Sequence, residues 1–345
     1  MSAPAGSGWR TSTRARRRGG HVAFMVLAAV ALAIVGLGVG TYAIPVSDIV
    51  ATLFGTGGER ESVTVRDLRA PRMAAALLVG AALAAGGSLM QTLTRNPLGS
   101  PDLLGISAGA STGALVSIIV AGQLGAVVGV GALVGGAAAA AVVLALAALT
   151  RGTDRMGTVV LVGVAVGLLA LAVNTFLISA ASSQTALQAS VWLTGSLHAV
   201  TWAQIGWLAG ACALLLPAAA VATRPLRILV LGDDLATSLG ARLRSAQLFV
   251  LAVSVLLVVV TVSVAGPIPF VALVAPALAR RITGTAGSAL GASVACGMLL
   301  VVAAEIVGTI LLSPVTLPVG VVTGAIGGIY LLLLLAAPLW RSRRT

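Results

Sequence analysis

The sequence predicts an all-α integral membrane protein with ten transmembrane helices. Three observations carry that prediction. The 345 residues are 59% hydrophobic and only 9% charged, with a mean hydropathy of +1.10. A soluble globular domain is usually about a quarter charged, so this chain cannot cover itself with polar surface. The apolar residues fall in ten runs, most of them near the roughly 20 residues that a helix needs to cross a bilayer. The 21 basic residues are all Arg and gather in short segments between those runs. A soluble nucleic-acid binder could be as basic as the net charge of +12, but this placement follows the positive-inside rule instead, and no nucleic-acid partner is expected.

The runs justify themselves in order. A basic tail, 1–21, carries "RTSTRARRRGG" and precedes the first span, 22–42. The tail could be the basic region of a signal peptide, but the run behind it is too long and no small-residue cleavage site comes after it, so it is read as a retained span. The second span, 70–92, is entered past Arg69 and Arg72. A polar turn, "TRNPLGSPD", separates it from the Gly-rich third span, 103–121. Asn-Pro and Ser-Pro disfavour helix before each Pro, and Ser100 or Asp102 can cap the next helix. The fourth span is 124–149. The fifth, 157–180, is apolar except for Thr158, Asn174, Thr175 and Ser179. The sixth is 203–223, and a polar, Gly-punctuated stretch at about 224–245 leads to the seventh, 246–265. The eighth, 268–283, is short and interrupted by Pro276. The ninth, 288–310, holds Glu305, and the tenth, 319–339, precedes a short basic tail, 341–345. The membrane-spanning body is thus 22–340.

With the N-terminus in the cytoplasm and ten crossings, 17 Arg fall on the cytoplasmic side and four (Arg60, Arg66, Arg69 and Arg72) outside. Both termini are then cytoplasmic, in a multi-pass membrane protein. Cys212 and Cys296 lie inside apolar runs and read as small packing residues.

The chemistry that is missing narrows the function. A P-loop needs Lys, and the chain has none, so any ATP hydrolysis is done by a separate protein. No metal-ligand cluster, nucleophile motif or paired-carboxylate motif is present, so no catalytic residue, resident metal or cofactor is expected. An ion-coupled carrier usually needs a relay of intramembrane acids, and Glu305 is the only acid deep in a span. It can serve either as a buried helix–helix hydrogen-bonding group or in transport chemistry.

The segment 68–111, "LRAPRMAAALLVGAALAAGGSLMQTLTRNPLGSPDLLGISAGAS", resembles the second-span signature of the FecCD permeases. These are membrane subunits of binding-protein-dependent ABC importers for iron–siderophore complexes, haem and vitamin B12. Four further blocks resemble the family in the same order: "VWLTGSLHAVTW" (191–202), "LGDDLATSLG" (231–240), "AGPIPFVALVAPALARRITG" (265–284) and "LPVGVVTGAIGGIYLLLLL" (317–335). "RNPLGSPD", "NTFLI" and "GGIYL" are most similar to members that carry ferric enterobactin. The chain departs from the family at Ala277, where His is usual, at Thr309 and at Thr316.

The resemblance implies a vitamin B12-importer-type (type II) fold working as a pair of permease subunits, with ABC ATPases below and a periplasmic or lipoprotein siderophore-binding protein above. It implies that Gly232, Asp233, Asp234, Ala236, Leu239, Gly240 and Arg242 form an ATPase-coupling loop. The residues agree: Gly232 and Gly240 permit positive φ or close approach, and Asp233 and Asp234 sit where a helix start favours anions. An ordinary amphipathic loop would also fit them. It implies that Arg69 and Arg72 dock the binding protein, since Arg pairs a carboxylate bidentately; membrane anchoring by snorkelling is the other reading. It implies that the fifth span lines the pathway, with Asn174 and Thr175 as its polar residues. The expected cargo is a ferric siderophore, catecholate or mixed, with haem or a corrinoid as the alternative.

Overall fold

A computed structural model describes residues 7–40, 42–149, 155–238, 240, 242–285, 287–311 and 315–342. Among them, seven helices are long and apolar enough to cross a membrane, and two shorter apolar helices, Ile106–Val120 and Val319–Leu334, accompany them.

Helix α1 (Ser7–Gly38) takes Arg10 to Arg18 into its own first turns, so basic head and apolar run are one helix. Short helices α2 (Val46–Leu53) and α3 (Glu59–Ser62) come next. α3 passes through a π-helical stretch, Val63–Arg69, into α4 (Ala70–Leu93), giving one continuous helix, Glu59–Leu93. The wide turn has an identifiable consequence. Ala70 N–H donates to the Val65 carbonyl, five residues back. The next bond in that register would come from Pro71, which has no N–H. The Arg66 carbonyl left over accepts instead from the Trp202 indole Nε1 at 2.9 Å.

α4 is the central post, with 83% of its apolar window buried. Its small residues let neighbours approach backbone to backbone, the usual basis of helix association in lipid. Gly80 faces the Gly297 carbonyl, and Gly87 faces that of Ala272. Ser254 Oγ donates to the Gly86 carbonyl at 2.7 Å.

After α4 the chain turns sharply. Arg95 takes φ 52° and donates to the Leu229 carbonyl. Ser100 accepts from the Asp102 N–H and so caps a 3-10 turn, Pro101–Leu104. Gly105, at φ 70°, opens α5 (Ile106–Leu115), which ends in a second π-helical stretch, Val116–Val120. α6 (Ala126–Leu149) packs on α5 through Gly131 and Gly135 against Gly113. α7 (Arg155–Ala180) places Gly163 and Gly167 against Leu104 and Gly105. The small α8 (Ser183–Leu193) is capped by Ser182, and α9 (Trp202–Leu229) by a capping box of Thr201 and Gln204. α10 (Asp233–Ser238) then leads to α11 (Leu243–Ala265).

The eighth predicted span, 268–283, is helical only over its last thirteen residues. Pro267 and Pro269 hold Gly266–Phe270 out of the helix, and α12 (Val271–Thr283) begins only after Phe270, at φ 66°. Thirteen residues make about 20 Å of helix, short of the roughly 30 Å hydrocarbon core. Non-helical backbone at such depth must be covered by protein: Trp192 and Gly195 close over Gly266, and Ser196 N–H donates to the Ala265 carbonyl at 2.8 Å. α13 (Leu290–Ile310) and α14 (Val319–Ser342) complete the bundle. Cys212 and Cys296 are free and buried, the latter 3.5 Å from the Met25 sulfur.

Candidate functional site

Three places bring the predicted residues together or apart. At the end of the bundle where α4 begins, Arg69 and Arg72 line a cavity of about 210 Å³ with Tyr42, Glu305, Thr309 and Thr316. Both arginines are only partly exposed. Arg69 is committed within the chain: it donates to the Leu37 carbonyl at 2.9 Å and to that of Tyr42. Its guanidinium thus fastens the end of α1. Arg72 Nε has no hydrogen-bond partner among the described residues, nor has either carboxylate oxygen of Glu305, which is 1% exposed.

Beside this cavity the loop 194–201 knots three elements. Gly195, at φ 69°, accepts from Gly320 N–H at 3.1 Å. His198 pairs through Nδ1 with Ser196 Oγ at 2.8 Å. Burial, and then the Arg72 charge, push its imidazole below the usual His range. His198 lines a second cavity, of about 300 Å³, with Gln188, Trp192 and Gln204.

At the opposite end, α10 bridges α9 and α11. Gly232 takes φ 110° and Gly240 φ 78°. Among the described residues nothing lies within 4 Å of a Cβ built on either, so positive φ, and not crowding, is what demands glycine there. Ala236 is fully buried under the turn, and Arg242 is exposed. Leu239 lies outside the described residues. Asp233 and Asp234 form the first turn of α10. Leu235, 58% exposed at the tip, was not singled out from the sequence. An apolar side chain in a polar loop was the available signal.

On α7 the two predicted pathway residues part company. Asn174 is 5% exposed and ties α7 to α5: its Oδ1 accepts from Thr112 Oγ1 at 2.7 Å and its Nδ2 donates to the Ala108 carbonyl at 3.3 Å. Its amide is thus taken up by the contact between the two helices. Thr175, the next residue, stands on the exposed face.

Sequence reasoning also missed a polar join between α4 and α12. Gln91 Nε2 donates to the Leu273 carbonyl at 2.9 Å, and Arg280 donates to Gln91 Oε1. Arg281 sits 5.7 Å over the Tyr330 ring, a cation–π contact that fixes α12 against α14. Among the described residues no group of His, Cys, Asp and Glu could hold a metal ion.

The profile of the FecCD transport family matches residues 26–337. The chain belongs to the FecCD transport family. It is 41% identical over 311 residues to the ferric enterobactin transport system permease protein FepG of Escherichia coli (strain K12), covering 90% of this chain and 94% of that one. It is 35% identical to the siderophore transport system permease protein YfhA of Bacillus subtilis (strain 168), with 94% and 97% covered. Among solved structures, the inward-facing conformation of a metal-chelate type ABC transporter superposes with a TM-score of 0.79 at 23% identity, over 93% of this chain and 98% of that one. That likeness bears on the fold alone. This FecCD chain is accordingly a multi-pass membrane protein with a transport role.

Proposed function

We propose that this chain is the permease subunit of a binding-protein-dependent ABC importer that carries a ferric siderophore, catecholate or mixed, across the cytoplasmic membrane. The observation that carries this is the 41% identity to a ferric enterobactin permease over nine-tenths of the chain. The absence of Lys, and with it of a P-loop, supports an ATPase on a separate subunit. The Arg distribution supports an outer face at Arg69 and Arg72 and a cytoplasmic face at α10, with both termini cytoplasmic. On that orientation the Arg69 cavity receives the siderophore-binding protein. The turn Gly232–Arg242 receives the ATPase, with Leu235 as an apolar contact beside Ala236 and Gly240. A second permease subunit covers α7, whose apolar window is only 17% buried, and Thr175 faces the cargo. No cofactor and no nucleic acid take part.

Haem is the second reading, because the chain is 34% identical to the hemin transport system permease protein HmuU of Yersinia pestis, over 78% of its own length. Deleting the gene and supplying radioactive iron as a triscatecholate, as citrate or as haem decides between them. Loss of catecholate-borne iron alone is expected. Intact catecholate uptake with lost haem uptake would establish the second reading.

A further inference from the structure

The cavity at the Arg69 end contains one group that the docking reading does not use. Glu305 lies five residues inside the end of α13, on the wall that faces Arg72. An acid buried to 1% exposure with neither oxygen hydrogen-bonded is costly. It persists only where a nearby positive charge or a neutral state offsets that cost. Arg72 supplies the charge, yet the two side chains make no hydrogen bond: Arg72 Nε and both Glu305 oxygens are buried without a partner among the described residues, and both residues line the same cavity. Arg69 cannot swing in to complete the pair, because it is held by the Leu37 and Tyr42 carbonyls. Gly40 packs against that guanidinium, which fixes it further.

We propose that Glu305 is a positioning residue of the docking cavity, an internal counter-charge that weakens the hold of Arg72 on a visiting carboxylate. The proposal rests on the docking reading above and deepens it. Arg72 alone, with the charge of the immobilised Arg69 beside it, would grip an acidic side chain of the binding protein strongly. A carboxylate behind Arg72 repels the visitor and competes for the guanidinium, so the partner is released after delivery. Thr309 and Thr316 flank the same space and carry no charge, so Glu305 alone sets this balance from the α13 side.

The test needs no partner protein. Cys212 and Cys296 are replaced with Ala, and Thr316→Cys places one thiol on the cavity wall. Its labelling by anionic sulfonatoethyl and cationic trimethylammonioethyl methanethiosulfonates reads the local potential. Protection by glutarate reads the grip on a carboxylate. Glu305→Gln should raise the anionic-to-cationic rate ratio by about three- to tenfold, the effect of one unit charge several ångströms away in a partly wet site. It should lower the half-protecting glutarate concentration by a similar factor. Arg72→Gln should shift both in the opposite direction and abolish the effect of Glu305→Gln on protection. If Glu305→Gln accumulates poorly, Thr309→Asp adds a charge to the same wall and should lower the ratio instead. Both readouts unchanged in Glu305→Gln, while Arg72→Gln moves them, would overturn the proposal. The docking reading fails separately, if Arg69→Glu with Arg72→Glu removes glutarate protection yet leaves siderophore uptake at its native rate.

Discussion

Asn174 shows how a single residue can be legible in kind and illegible in direction. An amide in an apolar span must be partnered, and that much comes from composition. Which way it points depends on the rotation of α7, and α7 gives no periodic signal because almost every residue in it is apolar. The structure turns the amide to Thr112 and the Ala108 carbonyl. Asn174→Leu leaves the Thr112 hydroxyl and that carbonyl with one partner fewer. A loss of about 1–3 kcal/mol is expected, seen as a lower melting temperature of the detergent-solubilised protein, with transport at low temperature kept. An unchanged melting temperature would mean that the two bonds add nothing. Arg72 and Glu305 were each visible as unusual residues; their meeting was not, because they lie in the second and ninth spans.

At the scale of elements, the long apolar helices could be read directly, since hydropathy and length define them. The interruptions were harder. Pro276 drew attention to α12, yet the helix runs through it, and the break falls earlier, where Pro267 and Pro269 hold the chain extended. The π-helical turn before α4 leaves no mark in hydropathy at all; only Pro71 hints at a missing bond. The turn around α10 was legible through its two glycines, though for one of the two reasons offered. Gly240 has positive φ and open space around it. Asn tolerates that conformation and Val does not. Gly240→Asn should therefore retain most siderophore uptake, and Gly240→Val should lose at least about tenfold while remaining in the membrane, on the scale of 1–2 kcal/mol of backbone strain. Equal uptake by the two variants would remove conformation as the reason for glycine there.

For the molecule as a whole, the charge pattern and the exposure pattern make one joint claim. On the proposed orientation α10 is cytoplasmic, and the exposed face of α7, with Leu168, Leu171 and Phe176 uncovered, is the surface proposed to meet lipid and a second subunit. In a chain without native cysteines, Ser238→Cys should react with an impermeant thiol reagent only from the cytoplasmic side. Thr175→Cys should react from outside in the outward-open state, and Asn174→Cys in neither. Labelling of Ser238→Cys from outside would invert the topology.

The unbroken helix Glu59–Leu93 is the longest of the apolar helices among the described residues. Thirty-five residues make a rod about 50 Å long, from the Arg69 end of the bundle to the turn at Arg95, whose side chain holds the end of α9 just before α10. The π-helical turn in it is braced from outside by Trp202, which stiffens a place where a helix bends readily. A rod stiffened there resists bending, so a push at one end favours tilting or sliding of the whole, and displacement at the mouth is coupled to displacement at the base.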